Sequence, residues 1–218
     1  MRRRGHRATI AALLVLGGGG MWQPGAQKVV DRIVARVEEE VILQSDVEQL
    51  GRYQVLVDGK AESDTVILDR LIDQWIVRKE AEASRFPAAS DVDVERGMQR
   101  LTRSFAKTED FEVQREKSGL SEAEVRQIVT EQAFLSNYLD SRFRPTVQVD
   151  EQAIKDFYEQ AVIPRAKARG QEPPSFETAR DVIQEALIQK GINEQADKWL
   201  KESRDRLSIT KLLSESGR

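Results

Sequence analysis

The chain has no cysteine, and its one histidine, His6, lies near the start. Without cysteine there is no disulfide, no thiol nucleophile and no cysteine-bound zinc. Without histidine beyond residue 6, Ser-His-Asp and Cys-His catalysis and histidine-ligated metal sites are excluded from the rest of the chain. A phosphate-cradling glycine loop is missing too. The glycines at 17–20 lack the lysine and the helix that such a loop requires. Aromatic residues make up only 6% of the sequence. Those at Trp75, Phe105, Phe134, Phe157 and Trp199 fall in helical stripes and read as core.

What is present begins with a leader. Arg2, Arg3, Arg4 and Arg7 precede an apolar run at 8–16, and small residues follow up to Ala26. That order is the pattern of a secretory signal peptide. The run is short of the roughly 20 residues that span a bilayer. The expectation is export and cleavage after residue 26, leaving a periplasmic protein with no stable membrane insertion. Removing residues 1–26 takes away four arginines and no acids. The remainder then carries 30 cations against 37 acids, a net charge of −7. Such a chain is a poor match for nucleic acid or for an anionic membrane. Its 218 residues, 33% charged and 39% hydrophobic, suit one globular unit.

The elements are mainly helical, with strands at the two ends. Residues 29–43 alternate as a hairpin whose turn is Glu38-Glu39-Glu40. Ser45 and Glu48 form a capping box for a helix over 46–57, ended by Asp58-Gly59-Lys60. Residues 65–84 carry Leu68, Leu71, Ile72, Trp75 and Ile76 on one face, and Pro87 stops them. Ser90 caps a third helix. Thr108 opens a fourth, ended by Gly119. Ser121 and Glu124 box the start of a helix to Phe143, and Asp150 caps the next. Residues 162–175, with three prolines and a glycine, read as a loop. Ser175 caps a long helix to Arg206, with Val182, Ile183, Ala186, Leu187, Trp199 and Leu200 on its buried side. A lone hairpin is marginal in water, so residues 206–212 are expected to return and pair with it.

Chemistry-bearing groups are sparse. Asp91-Val-Asp-Val-Glu95 has the opening of a calcium loop, but Gly97 is one place late and Thr102 stands where the bidentate acid belongs. An acidic first helical turn is the simpler reading. Acid pairs that might serve glycoside hydrolysis read as solvated surface among 37 acids. No catalytic residue, metal ligand or cofactor is assigned.

Several stretches resemble the SurA-type periplasmic chaperones. "VVDRIVARVEEEVILQSDVEQL" is similar to their leading hairpin and first helix. "ILDRLIDQWIVRKEAE" resembles their second helix. The run from "FEVQREKSGL" to "IKDFYEQ" resembles the helices that follow, and "FETARDVIQEALIQKGINEQADKWLKESRDRLSI" the long last helix and final strand. The similarity covers residues 28–213. It implies a SurA/trigger-factor-like helical chaperone core with a small antiparallel sheet made by the N-terminal hairpin and the C-terminal strand. Residues 27–161 would be the N-terminal chaperone region, and 176–218 the closing helix and strand of the same domain. The family usually inserts a parvulin prolyl-isomerase domain before the long helix. Here only 162–175 occupies that place, and about 90 residues do not fit in it.

The resemblance implies an ATP-independent holdase for unfolded or nascent exported polypeptides, outer-membrane β-barrel proteins among them, and no enzyme. A family label of peptidyl-prolyl isomerase and a dedicated envelope scaffold remain the alternatives. Exposed apolar surface marks a client site. Met98, Leu101, Phe105 and Phe111, on short helices between dense charges, are the expected client-binding residues, with packing of the lobe as the competing role.

Overall fold

The protein is described by a computed structural model over residues 31–213, so the expected leader at 1–26 lies outside the described residues. The fold is mainly α with one three-stranded antiparallel sheet. Strand β1 (Ile33–Val37) and β2 (Glu40–Leu43) form the hairpin, and β3 (Ile209–Lys211) joins from the far end of the chain. The strand order is β2-β1-β3. Ala35, Arg36 and Val37 pair with Lys211, Thr210 and Ile209. The sequence expectation of closure between first and last elements holds.

The hairpin turn differs from the three-glutamate reading. It has two residues, because Glu40 already belongs to β2. Glu38 sits at φ +51°, a region that favours Gly or Asn. The far end of the chain offsets this. The Glu38 N–H donates to the Ser208 carbonyl at 2.9 Å, and the Glu38 carboxylate accepts the Ser208 N–H at 2.7 Å.

Helix α1 (Gln44–Asp58) starts earlier than expected, and Ser45 is not its cap. Strand β2 runs straight into the helix, so no serine is free in the flanking position. Asp46 instead reaches back and accepts the Leu43 N–H at 2.8 Å. The Ser45 hydroxyl and N–H donate to Asp31. The other caps fall where the sequence puts them. Ser90 accepts from the Asp93 N–H at the start of α3 (Asp91–Arg103), and Ser121 from Glu124 at the start of α5 (Glu122–Phe143). Helices α2 (Asp64–Ala83) and α4 (Thr108–Ser118) complete the body. Ile67, Leu68, Ile72 and Ile76 on α2 and Val125 and Val129 on α5 form its centre. At Gly97 a Cβ would lie 2.6 Å from Val129, so glycine lets α3 approach α5 closely.

Beyond Pro145 the expected loop is half helix. Helix α6 (Glu151–Phe157) passes into a π-helical turn at Tyr158–Val162 and then into α7 (Ile163–Ala168). Pro164 explains both features. It has no N–H for the Gln160 carbonyl, and its ring would strike that carbonyl in a continuous α-helix. Widening the turn relieves the clash, and near the start of α7 the missing N–H matters little. Only residues 169–175 remain irregular.

Helix α8 (Phe176–Arg204) serves two hydrophobic clusters. Ala179, Ile183 and Leu187 pack with α6 and the π turn, whereas Ile188, Ile192, Ala196 and Trp199 pack into the body. Val182 and Ala186, expected to be buried, point outward, and Val182 is 73% exposed. The inward row advances by fours and threes from Ala179, and each of these two stands one residue before a member of it.

Charged bonds fasten α8 to the body at both ends of their contact. Arg204 donates to Asp69 at 2.9 Å and Asp73 at 2.7 Å, and Lys211 meets Asp69 at 2.5 Å. Burial alone would raise the Asp69 pKa, but the bonds from Lys211 and Arg204 outweigh it and the net direction is down. Arg144 bridges Asp140 and Glu185 and holds both carboxyls low, Glu185 at about 2. A carboxyl lowered on folding stabilises the protein above its unfolded pKa, and that contribution fades as pH falls through the folded value. Thermal melts should therefore be nearly flat above about pH 5, where unfolded carboxyls are already ionised, and should fall steadily from about pH 4 toward pH 2. A melting temperature that holds level down to pH 2 would contradict these pairings.

Candidate functional site

A cleft of about 320 Å³ lies where β2, α1, α2 and α5 meet. Its apolar lining comes from all four elements. Val41 stands on β2, Leu50 on α1, Leu71 and Trp75 on α2, and Ile128 on α5. On α2 the positions Leu68, Ile72 and Ile76 form the fully inward row, each four residues apart. Leu71 and Trp75 belong to the neighbouring row, which lies over the cleft and stays half-buried. Val41 is 40% exposed.

The polar lining is half uncharged amides, Gln49, Gln74, Gln127 and Gln132, and half charged groups, Glu40, Asp46, Arg78 and Glu131. Gln132 accepts a hydrogen bond from the Tyr53 hydroxyl at 3.2 Å. Asp46 accepts the Leu43 N–H, and the other charges are paired with one another or with Lys79. The Trp75 indole N–H donates to Glu40 at 2.9 Å, and Lys79 meets the same carboxylate at 2.5 Å. The Lys79 bond, with that of Trp75, holds the Glu40 carboxyl below its usual range, so it stays ionised. Across the cleft Arg78 meets Glu131 at 2.7 Å. These pairs fix the walls and the orientation of the indole.

One backbone group also faces outward here. The Val34 carbonyl accepts the Leu212 N–H, and the N–H of Glu38, just past β1, donates to Ser208, so both point toward β3. Peptide groups alternate along a strand. Ala35 and Val37 therefore point toward β2, where they face Ile42 and Glu40. Val41, between those two, turns its N–H and C=O away from the sheet. Since β2 is an edge strand, these two groups have no strand partner among the described residues, and Val41 lines the cleft. Leu43, the next outward position, has its N–H occupied by Asp46.

Such a site can take apolar or aromatic side chains against Trp75, Leu71 and Ile128. Its amides and the Val41 peptide can pair with the backbone that carries them. Among the described residues no group of three or more acids or histidines is placed to hold a metal ion. No helix among them is long and apolar enough to cross a membrane.

The four residues expected to face clients are brought together against the core, two of them buried and two half-buried. Phe111 is 3% exposed and Leu101 8%. The Phe105 and Phe111 rings meet edge to face, their centroids 5.5 Å apart. Met98 and Phe105 lie half-buried on the same core. Helix α4 packs on α1 and α3 on α5, and the two meet where the Phe105 and Phe111 rings touch. Of the cleft residues, Leu71 and Trp75 were legible on the apolar face of a helix, and Trp75 was read as core. No signal along the chain separates Leu71 and Trp75 from the covered row of α2.

No known family model matches the chain, and no curated protein matches it significantly.

Proposed function

We propose that the protein is an ATP-independent holdase of the cell envelope, exported to the periplasm, whose clients are unfolded exported polypeptides, outer-membrane β-barrel proteins among them. The observation that carries this reading is the cleft beside β2. It joins an indole and aliphatic side chains to amides and an outward peptide group, the two kinds of surface an unfolded chain presents. Burying one client side chain there contributes about 1.5–3 kcal/mol. An encounter of one or two such side chains is weak and readily reversed. Passive release of this kind needs neither nucleotide nor cofactor.

Prolyl-isomerase catalysis is not part of the proposal. Helix α7 ends at Ala168 and α8 begins at Phe176. The intervening seven residues hold no second domain.

Several unrelated denatured proteins, diluted with and without the purified chain, provide the test. Light scattering should fall for each of them at near-stoichiometric ratios, and a proline test peptide should isomerise at its uncatalysed rate. Suppression confined to one client would favour a dedicated scaffold. Isomerisation well above background through repurification would remove the holdase-only reading.

A further inference from the structure

We infer that residues 148–168 form a strap that opens as a unit from α8 and from the 169–175 segment leading into it, while the body stays folded. Two clusters of buried side chains divide the chain. Among the described residues the body cluster holds 26 buried residues, and the second cluster only Ile154 on the strap with Ala179 and Ile183 on α8. Local opening free energy follows buried contact, so the two parts separate in stability.

The backbone of the strap points the same way. Its middle is the π turn at Tyr158–Val162, where the Ile163 N–H bonds back to Tyr158 and Pro164 supplies no N–H at all. Two contacts across the strap hold it shut. The Tyr158 hydroxyl donates to the Pro174 carbonyl at 2.6 Å, and Arg180 on α8 meets Glu151 at 2.8 Å. The body end is secured separately. Val147 lies where a Cβ on Gly191 would come within 2.6 Å, and Arg144 clasps Glu185. Opening therefore begins beyond Val147 and leaves the second half of α8 in place.

Opening uncovers Ile183 and Leu187 on α8 and Ile154 and Phe157 on the strap. On the holdase reading this is apolar surface held in reserve. The opening itself does not depend on that reading.

Hydrogen exchange of the mature chain, read by mass spectrometry below its melting transition, tests the inference. Peptides covering 151–168 should exchange at least about tenfold faster than those of α2 and α5, which open only with the whole molecule. Tyr158→Phe, losing one hydrogen bond, should speed the strap peptides about fivefold and leave α2 and α5 unchanged. Strap peptides that exchange at the rate of α2 and α5 would overturn the inference. So would a Tyr158→Phe effect shared equally by the body. Failure of client holding with this exchange pattern intact would count against the proposed function and leave the strap standing.

Discussion

Truncation after Ser203 is expected to lower the melting temperature by about 10–20 °C or to abolish the cooperative transition. The deleted segment removes three kinds of support. Strand β3 leaves β1 without one partner and Glu38 without Ser208, the bond that holds a strained turn. Leu207, Ile209 and Leu213 no longer cover the core. Arg204 and Lys211 go as well, so Asp69 and Asp73 lose their cations. Half-burial of three aliphatic side chains together with the lost strand bonds sums to about 5 kcal/mol. That is comparable to the whole stability of a marginal domain, about 5–15 kcal/mol. In a chain of this length each 1 kcal/mol corresponds to about 2–4 °C. Circular-dichroism melts of the truncated and full-length proteins that coincide would contradict the closure of the sheet.

Phe111→Ala is the second substitution with a large expected effect. The ring is almost fully enclosed and stacks edge-on against Phe105. Removing it leaves a cavity between α3, α4 and the body, at a cost of about 3–5 kcal/mol. Denaturant unfolding should show that loss. A residue that served clients instead of packing would give the opposite pattern, unchanged stability with weakened holding.

Local chemistry was legible in the sequence wherever the residues concerned were neighbours along the chain. The box at Ser121–Glu124, the cap at Ser90, the stops at Gly59 and Gly119, and the amphipathic face of α2 follow from spacing alone. Closure by the last strand was legible because a hairpin needs a partner and only one candidate existed. The departures have causes outside the local window. Ser45 loses its capping role because a strand abuts the helix. Pro164 sits inside a helical segment because a π turn makes room for its ring. Val182 is exposed because the inward row of α8 is set by two different neighbours. Phe111 is buried because α4 packs onto α1 and meets Phe105 at the end of α3. The cleft escaped notice for a related reason. Leu71 and Trp75 carry the same periodicity as Ile72 and Ile76, and only the position of β2 and α5 separates a covered row from an open one.

The central claim is that unfolded polypeptide is held in the cleft beside β2. Photo-crosslinking from single sites tests it most directly. A photoreactive side chain at Gln127, on the exposed lip of the cleft, should capture a denatured client during dilution. The same group at Val92, exposed on the outer side of α3, should capture little. Val41→Asp should abolish the Gln127 crosslink without moving the melting temperature appreciably, since Val41 already faces solvent in part. Crosslinks of equal yield from Val92 and Gln127, or a Gln127 crosslink that survives Val41→Asp, would contradict the account.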